Sequence, residues 1–381
     1  MKSNTSVVII GGGIIGTSIA FNLAKLGVKD VVVFEKSYIS SGSTGRCGGG
    51  IRQQWTSPMN VRLAMRSVEL FKRFKEDVGM DIEYYQGGYL LLAYDEKEMA
   101  DFENNVKMQK NEGLDVELVT PKQIHEKFPF MDLEGVVGGT WCPSDGHANP
   151  QIANIAYALK IKEMGVDLNT HTEVKGIDVQ NGKIVGVETD KGYVKTNVVV
   201  NAAGGFSHEV GKMAGVDIPT YSERHQILVT EAINHVLDPM VISFKKNYYV
   251  RQTMHGSFVM GQSDKNPAQG NDLGHTVEFL EEMAPKMVHD FPFMNHLHIV
   301  RQWSGAYNVS PDAQPIIDEA TNVSRFIFAV GFSGHGFMLA PAVGEAVAEM
   351  VVYGKSKTMD VSNLKMERFE NQKISKERNV V

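Results

Sequence analysis

The chain has 381 residues, 43% of them hydrophobic, with 38 lysines and arginines against 45 aspartates and glutamates. That length allows two substantial cores, and the mixed composition is that of a globular enzyme. A net charge of −7, with no run of five or more like charges, gives no general attraction to nucleic acid or anionic lipid.

In chain order, Val7 to Ile10 is an unbroken branched apolar run, as expected of a parallel strand buried on both faces. Gly11, Gly13 and Gly16 follow at a spacing that lets the chain turn sharply, approach a pyrophosphate with its backbone, and pack the next helix closely on the strand. A helix over 14–26, beginning at Ile14, points its N-terminal dipole at those phosphates. Val31 to Phe34 is a second strand, and Glu35 lies nineteen residues after Gly16, where a carboxylate accepts hydrogen bonds from ribose hydroxyls. This is a dinucleotide-binding βαβ unit, and the acid argues against a ribose 2′-phosphate. The apolar N-terminal stretch is short, interrupted by glycines and accounted for as strand and helix, so it reads as neither signal peptide nor membrane span.

Residues 40–50 are rich in Ser and Gly, and a helix is expected over 58–78, a strand over 87–93 and a polar helix over 96–113. The α/β pattern returns with a helix over 152–164 and strands over 172–179, 183–189 and 193–201, the first two joined by the turn Asn181-Gly182. Residues 220–320 read as β-rich, with strands at 226–231, 248–253 and 257–261, and the chain closes with a strand over 326–330, a glycine loop and a helix over 340–352. With no repeat or low-complexity linker, the domains must be interleaved. Two cysteines, Cys47 and Cys142, are too few for a disulfide framework, lack partners for a zinc site and read as small buried side chains of a cytoplasmic protein.

Three further segments bear on which dinucleotide is bound. Residues 198–204 form an apolar strand ending in Ala203 and Gly204, which lets backbone pass close to a flat ligand. Residues 331–337, Gly-Phe-Ser-Gly-His-Gly-Phe, precede the last helix, so their N–H groups face an anion developing on bound cofactor. Residues 40–52 add flexible backbone with Arg46 and Arg52. With the opening fingerprint, these segments resemble the D-amino-acid oxidase superfamily of FAD enzymes, in particular the branch of sarcosine oxidase and dye-linked L-proline dehydrogenase β-subunits. The resemblance spans nearly the whole chain and is most specific at 11–16, 43–52, 141–146, 331–337 and 340–345.

The resemblance implies an α/β plus α+β fold, with a Rossmann-like FAD-binding domain (1–86, 143–216 and 322–370) interleaved with a β-rich substrate domain (87–142 and 217–321). It assigns the cofactor to Gly11, Gly13, Ile14 and Gly16, to Glu35 and Lys36, and to Ser43, Thr44, Arg46, Gly49 and Gly50. Val174, Ala203 and Gly204 follow from the middle of the chain, and Gly331, Gly334, His335, Gly336, Phe337 and Met338 from its end. His335 is expected to serve the flavin through its backbone. Relatives that hold FAD covalently use a cysteine aligning near Gly305, where this chain has none, so noncovalent FAD is expected.

Members of this superfamily pass hydride from the carbon beside an amine to flavin N5, leaving an imine that water hydrolyses. An amino-acid substrate needs a cation for its carboxylate and apolar walls around its amine. The resemblance nominates Arg52 for the carboxylate, with Arg301 second, Tyr249 as a substrate-facing tyrosine and His225 on a strand lining the same side. Each of the four also reads as a surface arginine or a packed ring. Val259 stands where related oxidases place an oxygen-activating lysine, and Met338 where they place a lysine on the carboxylate. Without an ammonium to stabilise nascent superoxide, a dehydrogenase is expected, acting on L-proline, sarcosine or hydroxyproline. Its electrons would go to a dye, a quinone or a partner subunit carrying flavin or an iron–sulfur cluster, with a homo-oligomer as another assembly. The competing readings are a peroxide-forming oxidase of glycine, sarcosine or a D-amino acid, and a flavin-bearing electron-transfer subunit. A nicotinamide dehydrogenase is disfavoured by the C-terminal glycine loop.

Overall fold

The computed structural model describes residues 2–264, 267–370 and 376–380. A six-stranded sheet runs in the order Ile316–Glu319, Phe326–Val330, Val199–Asn201, Val7–Ile10, Val31–Phe34, Asp167–Asn169, all parallel except the first. Successive residues take opposite faces. Val7, Ile9, Val31, Val33 and Ile327 enter one core with the helices Ile14–Lys25, Pro58–Lys72, Pro150–Glu163 and Gly336–Tyr353. Val8, Ile10, Val32, Phe34 and Phe328 enter another, against the three-stranded meander Val174–Gln180, Lys183–Thr189, Gly192–Lys195 and the helix Ser207–Met213. Burial on both faces is why these strands read as continuous apolar runs.

A second sheet has eight strands in the order Ile299–Val309, Tyr221–Ala232, Ser257–Ser263, Tyr248–Gln252, Met240–Ser243, Tyr89–Ala93, Gly138–Cys142, Glu117–Val119. Its register aligns Tyr249 with Gly261, Gly261 with Ile227, Ile227 with Trp303, and His225 with Gly305. Directly paired residues share a face, so these side chains stand on one side of the sheet. The other side presents Tyr248, Val250, Met260 and Leu228 to Phe279, Met283 and Met287 of the helix Val277–Asp290.

Several sequence expectations are corrected. The run over 193–201 is two strands in different sheets, Gly192–Lys195 and Val199–Asn201. Thr196, whose Oγ1 donates to Val198 O at 3.1 Å, sits at the step between layers, and apolar residues on both sides of it hid the break. The helix expected over 58–78 is interrupted at Arg73 (φ −98°, ψ 4°), giving Pro58–Lys72 and Phe74–Val78. The helix Val277–Asp290 lies inside the stretch read as β-rich. Its signals were present: Thr276 accepts from Phe279 N at 3.4 Å, and Phe279, Met283 and Met287 recur every four residues. Ile316–Glu319, within the expected substrate domain, belongs to the six-stranded sheet.

The last helix begins at Gly336, four residues before the expected start, with Pro341 inside it. A proline there removes one N–H from the ladder without ending the helix. The earlier start brings the first turn up to the edge of a cavity. Among the described residues this helix is long and apolar enough to cross a membrane, yet 67% of it is buried inside the fold. It packs on Ile14–Lys25 so closely that a Cβ at Gly344 would lie 2.1 Å from Ser18 Oγ.

Candidate active site

A cavity of about 430 Å³ opens where the six-stranded sheet meets the eight-stranded one. Its floor is the glycine turn. Gly11 (φ +114°) presses on the end of the neighbouring strand: a Cβ there would lie 2.4 Å from Ala202 O. At Gly13 a Cβ would meet Thr44 Oγ1 at 3.4 Å and nothing nearer, so the space above the helix N-terminus is open to an anion. Gly16 does not line the cavity and packs beneath it, its Cβ position 2.0 Å from Gly11 O.

Ile14, Glu35, Lys36, Ser43, Thr44, Arg46, Val174, Ala203, Gly204, Gly334, Gly336 and Phe337 line the same space. Glu35 is partly engaged by the protein: its Oε2 accepts from Gly12 N at 2.9 Å and its Oε1 from Ser37 N at 2.8 Å and Ser41 Oγ at 3.5 Å. A carboxylate offers about four lone-pair sites, so about one remains for a ligand. Ile14 N donates to Thr44 Oγ1 at 3.1 Å, tying the 40–50 loop to the helix start. Arg46 braces that loop on the second sheet, donating to Ser41 O and Ser304 O, both at 3.1 Å. Gly331 (φ +69°) lies behind the wall, where its N–H donates to Asn308 Oδ1 at 2.7 Å.

A second cavity, about 70 Å³, adjoins the first; Cys47, Tyr307, Ser333, Gly334 and Phe337 line both. Arg52 and Tyr249 meet here, with Trp55, Tyr89, Met240 and Ile242 around them. Gly49, Gly50, His335 and Met338, expected on the cofactor, line this smaller space instead. The Arg52 guanidinium is buried, 4.0 Å from the centre of the Trp55 ring, and donates through Nη1 to Gln54 O at 3.2 Å and through Nη2 to Asn379 O. Tyr249 fits because Gly48 and Gly261 flank it: Cβ atoms there would come within 2.9 Å of its Cε2 and 2.4 Å of its hydroxyl.

The other two nominated residues stand apart. His225 lines the larger cavity, its ring stacked on Tyr307 with centroids 3.5 Å apart. Arg301 sits on the same sheet face but near the exposed end of its strand, outside both cavities. The resemblance that nominated it carries no information on its depth.

Residues 6–350 match the DAO family model, described as FAD dependent oxidoreductase. The chain belongs to this family. Rat mitochondrial dimethylglycine dehydrogenase is 30% identical over 93% of this chain, which spans 44% of that protein's length. Sarcosine oxidase subunit beta of Rhizobium meliloti is 29% identical over 97% of this chain and 89% of its own length. The crystal structure of L-proline dehydrogenase from P. horikoshii superposes with a TM-score of 0.93 at 42% identity, covering 97% of this chain and 99% of that one. Glycine oxidase from Geobacillus kaustophilus, at 24% identity and TM-score 0.88, shares the fold.

FAD is the family's cofactor, and the larger cavity fits it: the ground above Gly13 is clear, and the Glu35 carboxylate, with acceptor capacity left, is in the cavity wall. Sequence reading missed Asn154, fully buried, whose Nδ2 donates to Gly12 O at 3.0 Å and Ser40 Oγ at 3.1 Å while its Oδ1 accepts from Thr17 Oγ1 at 2.6 Å. An asparagine on a buried face with Ala153 and Tyr157 was its signal. Also missed were Tyr307, Trp55 and Arg251. The Arg251 guanidinium is buried, donates to Gly48 O and lies 3.3 Å from His147 Nδ1, fixing the turn before Arg52.

Desolvation drives the His225 imidazole down to about 3, so it stays neutral in the folded protein. The unfolded chain takes up that proton near pH 6.5 and the folded one resists until about 3, so stability falls as pH drops through this window. Between pH 7 and 5, unfolding free energy from urea titrations is expected to fall by about 2 kcal/mol more in the wild type than in His225→Phe, which keeps a ring against Tyr307. Equal slopes for the two proteins would show that His225 takes up its proton without leaving its site.

Proposed function

We propose that this enzyme oxidises the C–N bond of a small secondary amino acid, L-proline, sarcosine or hydroxyproline, and hands the electrons to an acceptor other than oxygen. The observation that carries this reading is the meeting of Arg52 and Tyr249 in a small cavity whose walls continue into the larger, glycine-floored one. The 42% identity to an L-proline dehydrogenase supports the choice of substrate class.

FAD, when bound, supplies the hydride acceptor. The chain's part is to bind and orient the amine. Arg52 has five N–H donors, and the bonds to Gln54 and Asn379 engage two, leaving three for a carboxylate. Tyr89, Met240, Ile242 and Tyr249 exclude water around the amine, whose lone pair must be free of its proton. His335 lines the same cavity as a neutral polar wall: it is buried, neither ring nitrogen has a hydrogen-bond partner among the described residues, and burial pushes it down to about 4. A base that weak does not take the proton of an ammonium, which is lost to solvent before the amine is closed in.

Noncovalent FAD is part of the proposal. Cys47 lines both cavities, but desolvation pushes its thiol up to about 11, so it offers no thiolate for attachment. Two free cysteines also support a cytoplasmic setting. Acid precipitation is expected to leave the yellow colour in the supernatant; colour in the pellet would mean a covalent link.

Arg52→Lys keeps the charge and loses the planar fork, so kcat/KM for the amino acid is expected to fall about tenfold or more, in keeping with the ~1.5–3 kcal/mol of a hydrogen bond to a charged group. An unchanged value would remove Arg52 from the carboxylate.

Val259 is buried on the Tyr249 face, paired with Arg251, whose guanidinium is engaged by Gly48 and His147. No lysine ammonium occupies that position to stabilise superoxide. In stopped flow, the flavin colour should bleach quickly with L-proline, return slowly in air and return quickly with a dye, and Val259→Lys should speed the return in air. Fast recovery of the wild type in air would replace the dehydrogenase reading with the peroxide-forming oxidase.

A further inference from the structure

Residues 377–380 return from the end of the described chain to the Arg52 site. Glu377 is 1% exposed, and its carboxylate is met by six donors, five of them from residues 56–60 and the sixth Asn379 N at 3.2 Å from Oε1. Oε1 accepts from Thr56 N at 2.9 Å and Thr56 Oγ1 at 2.6 Å; Oε2 accepts from Ser57 N and Ser57 Oγ, both at 3.1 Å, and from Asn60 Nδ2 at 3.2 Å. These donors lie at the N-terminus of the helix Pro58–Lys72, where negative charge also meets the positive end of the helix dipole. Two residues on, Asn379 bridges its neighbours: its carbonyl accepts from Arg52 Nη2 and its Nδ2 donates to Gln54 O at 3.1 Å. Val380 lines the small cavity together with Asn379, Tyr249 and Met240, and packs against the core.

A segment meant to leave would be held loosely and would fill the space it guards. This one is held by a buried carboxylate with five donors from residues 56–60, and the cavity stays open beside it at about 70 Å³. Releasing Glu377 would strand several buried polar groups at once. We propose that residues 377–380 are a fixed wall of the substrate cavity: Glu377 anchors it, the Asn379 carbonyl orients the Arg52 guanidinium, and the Val380 side chain sets the largest amine that fits. This rests on the reading that the small cavity takes an amino acid. Glu377 is thus a positioning residue, and Val380 a specificity residue.

The test uses the FAD-loaded enzyme as wild type, Val380→Ala, Val380→Phe and Glu377→Gln. Anaerobic flavin bleaching is followed with sarcosine, L-proline and L-pipecolate, whose ring is one methylene larger than that of proline. Binding of cyclopentanecarboxylate, a proline-shaped acid with no amine to oxidise, is read separately from the shift in flavin absorbance. Val380→Ala should raise the kcat/KM ratio of pipecolate to proline about tenfold, the scale of one methylene in an apolar pocket. Val380→Phe should lower kcat/KM for both ring amines relative to sarcosine. Glu377→Gln should weaken cyclopentanecarboxylate binding and raise KM for proline more than it lowers kcat. Unchanged ratios in both Val380 variants would overturn the wall, and these two decide the matter even if Glu377→Gln fails to fold. A gain in kcat/KM for Glu377→Gln, or on deleting 376–381, would overturn it in favour of a displaceable plug. A wild type that neither bleaches with any of the amines nor binds cyclopentanecarboxylate would remove the substrate reading itself, and the wall with it.

Discussion

The close approach of the first glycine turn to the end of the next parallel strand is the constraint on which the rest depends. Gly11 and Gly16 have no room for a Cβ because Ala202 O and Gly11 O occupy it, at 2.4 and 2.0 Å. The turn is therefore drawn tightly onto the sheet and the helix onto the turn, while Gly13 faces open space. The helix start, the Thr44 loop and Asn154 are then fastened to that turn by side-chain hydrogen bonds. An anion-binding cradle results from backbone geometry before any charged side chain is considered.

The second sheet solves a different problem, that of bringing polar groups into an apolar interior. Its two-residue period sends Tyr248, Val250 and Met260 to a core and Tyr249 and Ile227 to the cavities. Glycines at 48 and 261 give Tyr249 the volume it needs. Behind Arg52 lies a buried carboxylate, Asp145, which accepts from Gln53 N at 2.8 Å, Gln53 Nε2 at 2.9 Å and Gln54 Nε2 at 2.9 Å; desolvation pushes it up to about 6. Gln54 Oε1 in turn accepts from Thr140 Oγ1. This network fixes the backbone that carries Arg52, so the guanidinium is positioned from two sides, by Gln54 O and by Asn379 O. Such bracing is what lets a buried cation hold a defined direction.

Electrostatics follow from the same burial. His225 and His335 both lie where desolvation opposes protonation, and only at His335 does a carboxylate charge, that of Glu377, offset part of it. His225 stacks on Tyr307 with centroids 3.5 Å apart, and His335 lies tilted against Trp55 at 4.5 Å, its nitrogens without a hydrogen-bond partner among the described residues. Both imidazoles are thus held neutral by burial against an aromatic ring.

The sequence by itself determined the βαβ unit, because an apolar run, three spaced glycines and a following acid constrain only local backbone. The strand Phe326–Val330 and the hairpin at Asn181-Gly182 were legible for the same reason. Family resemblance added Arg52 and Tyr249, which the fold brings into one cavity although they are far apart in the chain. Tertiary structure alone decided what depends on distant partners. It left Arg301 at an exposed strand end, split 193–201 between two layers and turned the His335 side chain into the small cavity. It also carried residues 377–380 back to Arg52, a placement that no local pattern encodes because its cause is a ring of donors at Thr56, Ser57 and Asn60 more than three hundred residues upstream.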